Sequence, residues 1–172
     1  SNRVADMVLV LAAALGLDPD ETALIHIAAH LHDIGKIAVP DAVLRKIGPL
    51  TADEWQEMRR HPVTGYNILR RDADFPDIAV LVLHHHERWD GRGYPDGLSG
   101  DRIPISAQVV SMADVYDALV SKRIYKAAYP PDTAVQMILH GDCGQFNPLL
   151  LECLLEIQDV LKAEIVEAAE NN

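Results

Sequence analysis

The sequence predicts an all-α protein, a single-domain helical bundle that spans residues 1–172. Apolar residues recur at helical spacing in most segments, and residues typical of helix starts precede several of them. No internal repeat, linker or low-complexity stretch divides the chain. Apolar residues make up 49% and charged residues 24% of the sequence, which is an ordinary globular composition with enough apolar material for a substantial core.

Two helices open the chain. Residues 3–15 are almost entirely apolar, and Gly16 is typical of the residue that ends a helix. Asp18 has the features of an N-cap, because Pro19 at the first helical position and Glu21 three residues after the cap complete a capping-box pattern. The second helix is therefore predicted to start at residue 19.

The second helix is predicted to end in a polar turn. Its apolar pattern runs as far as His32 and Asp33, and Gly35 is the predicted break. This would place an imidazole and a carboxylate side by side at a helix end. A short loop containing Pro40 follows, and Gly48–Pro49 is a second breaker.

Three further helices are predicted before residue 90. Thr51 and Glu54 form a capping box for a short one. His61 precedes a proline and so belongs to a helix N-terminal junction, which residues 63–71 continue. Residues 77–86 contain β-branched side chains that also suit a strand, but the helical neighbours favour a helix.

The remainder of the chain is predicted to form one long loop followed by three helices. Residues 90–104, called the glycine-rich loop below, carry four glycines and two prolines and are predicted to be irregular. A loop of this length in a small domain is usually functional. Helices are predicted at residues 105–119, 133–140 and 149–168.

Charge and composition exclude several classes of function. A net charge of −11 argues against a polynucleotide partner, although a small anionic ligand remains compatible with it. No apolar run is long enough to cross a bilayer, and no signal-peptide pattern opens the chain. Cys143 and Cys153 are too far apart for a metal-binding CxxC pair and fit free thiols of a reduced, cytoplasmic protein.

Histidines and aspartates at several helix ends are candidate metal ligands. The strongest signal is a run of three consecutive histidines after an apolar segment. Imidazole and carboxylate ligands without thiolate suit iron, manganese or zinc, and helical bundles build such sites from several helices. The alternative is a set of unrelated surface histidines. The candidates are His32, Asp33, His61, His84, His85, His86 and Asp114.

The spacing of these residues also predicts a reaction class. Asp33 is the natural bridge, because a carboxylate offers one oxygen to each of two ions. Two metal ions about 3.5–4 Å apart are common in enzymes that displace groups at phosphorus. Lys36, one helical turn beyond His32, would contact a phosphate oxygen. The expected mechanism is in-line attack by a metal-bound hydroxide.

Several motifs together resemble the HD-GYP domain, a branch of the HD phosphohydrolase superfamily. The resemblance covers about residues 3–155 and implies a helical bundle of the HD type, with the GYP motif in the glycine-rich loop. The matching motifs are His32-Asp33-Ile34-Gly35-Lys36, His85-His86-Glu87, Asp90-Gly91-x-Gly93-Tyr94-Pro95, Ala113-Asp114-x-Tyr116-Asp117-Ala118-Leu119 and Ser121-x-Arg123-x-Tyr125-Lys126.

The resemblance implies a bacterial signalling enzyme that hydrolyses cyclic di-GMP to pGpG, and often onward to GMP. It implies a centre of divalent metal ions, with iron or manganese expected and zinc, nickel, magnesium and cobalt as alternatives. By resemblance, His32, Asp33 and Asp114 hold the first ion, with Asp33 bridging. The second ion matches the ligands His61, His85 and His86.

Further residues acquire expected roles from the same resemblance. Lys36, Arg123 and Lys126 match positions that hold substrate phosphates, and Tyr94 is similar to a residue that lines the nucleotide site. The glycine-rich loop is implied as a docking site for GGDEF-type cyclase domains. His84 matches no ligand. The domain is expected to be cytoplasmic and to serve as the output domain of a larger signalling protein, and a homodimer is among the assemblies that the sequence allows.

The chain departs from the family pattern at its beginning. A histidine ligand of the first metal and a glutamate ligand of a third metal would fall before Ser1, so a third metal is not expected here. Two alternatives to the phosphodiesterase follow. One is a module without turnover that binds cyclic di-GMP or a cyclase partner. The other is an HD-type phosphohydrolase that acts on a different nucleotide.

Overall fold

The computed structural model describes residues 2–122 and 127–170, the last seven of these by their backbone alone. Within those ranges the regular secondary structure is entirely helical, which confirms the predicted all-α class. The α-helices in chain order are α1 (Asn2–Leu15), α2 (Pro19–Leu31), α3 (Asp41–Leu44), α4 (Ala52–Met58), α5 (His61–Leu69), α6 (Pro76–His84), α7 (Ile105–Val120), α8 (Pro131–His140) and α9 (Pro148–Glu170). Short 3₁₀ turns lie at Ile34–Ala38 and Gly100–Arg102.

Helix α7 is the central helix of the bundle. Eleven of its 16 residues are buried, so it is enclosed on most sides rather than packed along one face. It contacts α1, α2, α6 and α8. Helix α1 packs against α2, α7 and α9 through Val4, Val8 and Leu11, which lie on one face and are almost completely buried. Because α7 is enclosed, Asp114 in its second half is held inside the domain.

The two predicted N-caps are confirmed, apart from one detail. The Asp18 carboxylate accepts hydrogen bonds from the backbone N–H groups of Asp20 and Glu21, and Thr51 forms the complete capping box. The Glu21 side chain does not reach back to the cap as predicted. It accepts a hydrogen bond from Ser106 Oγ at 2.6 Å and so ties α2 to the start of α7.

Two predicted helix ends beside the site lie too far along the chain. Helix α2 ends at Leu31 and α6 ends at His84, so the polar residues that follow lie just outside the helices. Asp33 leaves the α region with φ −97° and ψ 6°, and the chain continues as the 3₁₀ turn rather than as a loop. Helix α3 is a single turn in a segment predicted to be irregular.

The 3₁₀ turn at Ile34–Ala38 packs tightly against the start of α5. A Cβ atom on Gly35 would lie 1.9 Å from the carbonyl oxygen of His61 and 2.6 Å from the backbone nitrogen of Gly65. Only glycine fits at this crossing, which brings Asp33 beside His61. Among the described residues, no helix is both long and apolar enough to span a membrane.

Candidate metal centre

The structure brings six of the seven candidate ligands together at one end of the bundle. Five of them lie at or just beyond the end of a helix, and the sixth, Asp114, lies within α7. Short loops after helices present side chains toward the same end, while the packed helices behind them fix the backbone. The six are His32, Asp33, His61, His85, His86 and Asp114.

Asp33 lies between two imidazoles, with one oxygen near each. Its Oδ2 is 3.4 Å from Nε2 of His32, and its Oδ1 is 3.4 Å from Nε2 of His61. His32 Nε2 is also 3.5 Å from Oδ1 of Asp114. A carboxylate that faces two nitrogen donors with separate oxygens has the arrangement expected of a bridging ligand. The bridging role of Asp33 stays a prediction, for which these two distances are the structural support.

Three of the imidazoles are oriented by the same local hydrogen bond. In each, Nδ1 lies 2.7 Å from the backbone carbonyl oxygen three residues earlier, at the end of the preceding turn. The pairs are His32 with Ala29, His61 with Met58 and His85 with Val82. A carbonyl only accepts, so Nδ1 carries the proton and Nε2 presents its lone pair to the centre. Metal-binding histidines are typically held in this way.

His61, His85 and His86 form a compact group of nitrogen donors. Their ligand atoms all lie within 4.8 Å of one another. The Nε2 atoms of His61 and His85 are 3.4 Å apart. Because the Nδ1 atoms hold the protons, this contact joins two lone pairs and no hydrogen bond connects them. A cation between these nitrogens would remove the repulsion, so the group fits a metal ion.

The pKa values of the site follow from burial and from the carboxylates. Burial lowers the pKa of His85 to about 3 and moves the pKa of His86 well below its ordinary value, so both rings are neutral at pH 7. Burial opposes the charge of His32 too, but in its charged form the ring also carries a proton on Nε2. The hydrogen bond that this N–H donates to Asp114, together with the charge of Asp33, outweighs burial and raises the pKa of His32. The carboxylate side of the site therefore attracts positive charge.

His84, the remaining candidate, points away from the centre. Its Nε2 lies 3.0 Å from Oδ2 of Asp96 in the glycine-rich loop. It lies at the end of α6, one residue before the ligand pair, so its side chain leaves on another side. This contact joins α6 to the loop, and it agrees with the lack of a ligand match for His84 in the family pattern.

Glu87 is a structural residue of the site whose role is not predicted from the sequence. Its side chain is buried, and its carboxylate accepts three backbone N–H bonds from the glycine-rich loop. The donors are Asp96 at 2.7 Å, Gly97 at 3.1 Å and Leu98 at 3.0 Å. The signal available in the sequence was an acidic residue directly after two ligand histidines and before a glycine-rich turn.

Tyr94 and Lys36 lie beside the centre, as their predicted roles require. The Tyr94 ring stacks on His86 with centroids 4.8 Å apart, and burial raises the pKa of its hydroxyl to about 12. Lys36 Nζ is 2.5 Å from Oδ2 of Asp33. Both residues line a cavity of about 480 Å³ that also reaches Asp33, His61 and Asp114. The predicted phosphate-binding residues Arg123 and Lys126 lie outside the described residues.

The chain is similar to known proteins in sequence and in fold. The sequence profile of the HD domain matches residues 1–146. The cyclic di-GMP phosphodiesterase response regulator RpfG of Xanthomonas campestris is 45% identical over 89% of this chain and 41% of that protein. The 3'3'-cGAMP-specific phosphodiesterase 2 of Vibrio cholerae is 42% identical over 91% of this chain and 30% of that protein.

A more distant relative and a solved structure extend the comparison. A cyclic di-GMP phosphodiesterase of Thermotoga maritima is 40% identical over 94% of this chain and 46% of that protein. Bd1817, a HDG"Y"P protein from Bdellovibrio bacteriovorus, has the same fold, with a TM-score of 0.74 at 23% identity over 93% of this chain and 50% of that chain. The chain thus spans less than half the length of these three curated relatives. It belongs to the HD domain family and, within that family, to the HD-GYP branch.

Proposed function

We propose that this domain hydrolyses a phosphodiester bond of a cyclic dinucleotide, with cyclic di-GMP as the preferred substrate and pGpG or GMP as the product. The observation that carries the proposal is the position of Asp33, with one oxygen 3.4 Å from His32 and the other 3.4 Å from His61. The names of the relatives RpfG and the Thermotoga maritima enzyme support the same substrate.

The donor set fits two divalent metal ions, for which we propose iron or manganese. His32, Asp33 and Asp114 would hold one ion, and His61, His85 and His86 would hold the other. The lone pairs of His61 and His85, 3.4 Å apart, are the structural support for the second position. When bound, such ions supply a water molecule of lowered pKa and positive charge near the phosphoryl oxygens.

The remaining residues of the site position the substrate and limit access of water. Lys36 lies beside Asp33 and lines the cavity with its side chain 38% exposed, so its ammonium group can meet a phosphate oxygen. Tyr94 stacks on His86 and covers that ligand from the loop side. Glu87 holds the loop backbone that carries Tyr94. These groups orient a phosphodiester against the centre without themselves reacting.

A second substrate, 3'3'-cGAMP, is favoured by one observation. The Vibrio cholerae relative that is named for this substrate is 42% identical to the chain, close to the 45% of RpfG. Overall identity therefore does not separate the two substrates. Turnover of cyclic di-GMP and 3'3'-cGAMP by the same metal-loaded preparation, compared as kcat/KM, decides between them.

The central experiment removes the bridging carboxylate. Asp33→Ala and the isosteric Asp33→Asn are expected to abolish hydrolysis of cyclic di-GMP and to lower the metal content of the purified protein, measured by elemental analysis. Asp41→Asn is the matched control, because its carboxylate is 81% exposed and lies outside the centre. Near wild-type hydrolysis by a folded Asp33→Ala protein would contradict the proposal. Tight binding of cyclic di-GMP without turnover by the wild-type protein would favour a binding module instead.

The glycine-rich loop is the proposed docking surface for a GGDEF-type cyclase domain. Its Arg92 side chain is 89% exposed, while Glu87 anchors the backbone nearby. An anchored loop with an exposed tip offers a partner a defined surface. Arg92→Glu is expected to weaken a pull-down of a purified cyclase domain, and unchanged capture would argue against this surface.

A further inference from the structure

We propose that Trp55 and Arg59 form a subsite for a guanine base, in a cavity that adjoins the one over the metal centre. Trp55 would stack on the base, and Arg59 would donate hydrogen bonds to the guanine O6 and N7 atoms. The inference rests on the proposed function, because a cyclic dinucleotide carries its bases beside the phosphodiester. It adds a specificity-determining pair to that function.

The position of the subsite follows from two adjoining cavities. One, of about 480 Å³, lies over Asp33, His61 and Asp114. The other, of about 470 Å³, is lined by Trp55, Arg59, His86, Arg88 and Tyr94. His86, Tyr94 and Trp55 line both cavities, so the two spaces adjoin along these side chains. A phosphodiester at the metal centre would direct one base into the second cavity.

Trp55 has the exposure and support of a stacking platform. Its side chain is 51% exposed, although tryptophan is highly buried on average in folded proteins. The short helix α4 that carries it is fixed by the Thr51 capping box and by an ion pair of 2.5 Å between Lys46 and Glu54. A half-exposed indole on a capped helix, at the wall of a cavity, is suited to stacking on a base.

Arg59 supplies the recognition chemistry. Its guanidinium lies 4.7 Å from the centre of the Tyr94 ring. Among the described residues no carboxylate forms an ion pair with Arg59, whereas the adjacent Arg60 pairs with Glu57 at 2.8 Å. The N–H groups of Arg59 are thus available to a ligand. Arginine binds guanine through O6 and N7 with two hydrogen bonds, a pattern that adenine does not offer.

The positive charge around the second cavity complements a nucleotide. The chain has a net charge of −11, yet two arginines line the second cavity. Arg88, the other one, is held by a 2.7 Å hydrogen bond from its Nη1 to Ser111 Oγ. A nucleotide brings negative phosphates and a base with acceptor atoms, both of which complement guanidinium groups.

The test measures binding of GMP and AMP by tryptophan fluorescence. The chain has two tryptophans, so Trp89→Phe leaves Trp55 as the only reporter. GMP is expected to quench this fluorescence with a Kd about tenfold lower than that of AMP. Arg59→Ala in the same background should remove that preference. Equal Kd values for the two nucleotides, or a preference that survives Arg59→Ala, would overturn the proposal.

Two further variants separate stacking from support of the fold. Measured by calorimetry, Trp55→Ala should raise the Kd of both GMP and AMP about tenfold, while Trp55→Phe should largely restore binding. Arg60→Ala is the matched control and should leave both Kd values unchanged. Unaltered binding by Trp55→Ala would contradict the stacking role. If the wild-type protein hydrolyses no cyclic dinucleotide but GMP still quenches Trp55 selectively, the proposed function fails and the subsite stands.

Discussion

The Nε2 atoms of His61 and His85 lie 3.4 Å apart, and each presents a lone pair because its Nδ1 donates to a backbone carbonyl. Two neutral, buried imidazoles in this relation repel one another weakly, and a metal ion turns the repulsion into two coordinate bonds. The fold therefore holds an arrangement that is more stable with a cation than without one.

Adding metal should stabilise the wild-type protein and not a variant that lacks this pair. A ligand at 100 times its Kd contributes about 2.7 kcal/mol to the free energy of unfolding. Mn²⁺ is thus expected to raise the Tm of metal-free protein in a thermal scan, and His85→Ala should remove most of the increase. His140→Ala, a histidine in the last turn of α8, is the control and should respond like wild type. An equal increase in His85→Ala would place the stabilising ion elsewhere.

The stability of the metal-free protein should depend on pH through His85. Burial lowers its folded-state pKa to about 3, whereas an unfolded histidine has a pKa near 6.5. Between these values the unfolded state binds more protons, so stability is lost as the pH falls below about 6.5, by about 1.4 kcal/mol per pH unit. The raised pKa of His32 acts in the opposite direction. Urea unfolding in EDTA at pH 5, 6 and 7 measures the slope, which should be shallower in His85→Gln.

Replacing Glu87 should release the glycine-rich loop. Glu87→Gln keeps the size of the side chain but places an NH₂ group where one carboxylate oxygen accepts a backbone N–H. Each buried N–H left without a partner costs about 1–3 kcal/mol, so a destabilisation of this order is expected. Hydrogen exchange should increase at Asp96, Gly97 and Leu98, the three donors. Glu57→Gln, a change on the surface, is the control, and unchanged exchange in Glu87→Gln would contradict the anchoring role.

Gly35→Ala should disturb the metal centre through the backbone. The added Cβ would lie 1.9 Å from the carbonyl oxygen of His61, so the 3₁₀ turn or α5 must move. Overpacking of this kind typically costs about 1–3 kcal/mol, and Asp33 would lose its position beside His61. Reduced metal content and a lower Tm are expected together. At Gly16 an added Cβ meets nothing within 4 Å, so Gly16→Ala measures the backbone cost alone and should keep its metal.

The sequence predicted the helices well where local chemistry decides them. Asp18 and Thr51 cap helices as expected, because an N-cap depends only on residues within one turn. It failed where tertiary contacts decide the outcome. Helix α2 stops before His32 because the next turn must pack against α5, which no neighbouring residue indicates.

The same division applies to the site. Six candidate ligands could be named from the sequence because imidazoles and carboxylates are distinctive side chains, and the resemblance supplied their grouping. The structure places these six side chains close together, while their roles as ligands stay a prediction. Glu87 and Trp55 received no functional role because their importance depends on distant partners. The carboxylate of Glu87 accepts from N–H groups nine to eleven residues later, and the role proposed for Trp55 depends on the cavity beside it.

Three adjacent residues serve two purposes. His85 and His86 face the centre, while Glu87 fastens the loop on which Arg92 is 89% exposed. These three residues share one short backbone segment. A shift of that segment on loss of the ions should therefore also loosen the loop. Trypsin cleavage after Arg92 would then report metal occupancy in a crude preparation, with neither substrate nor chromophore.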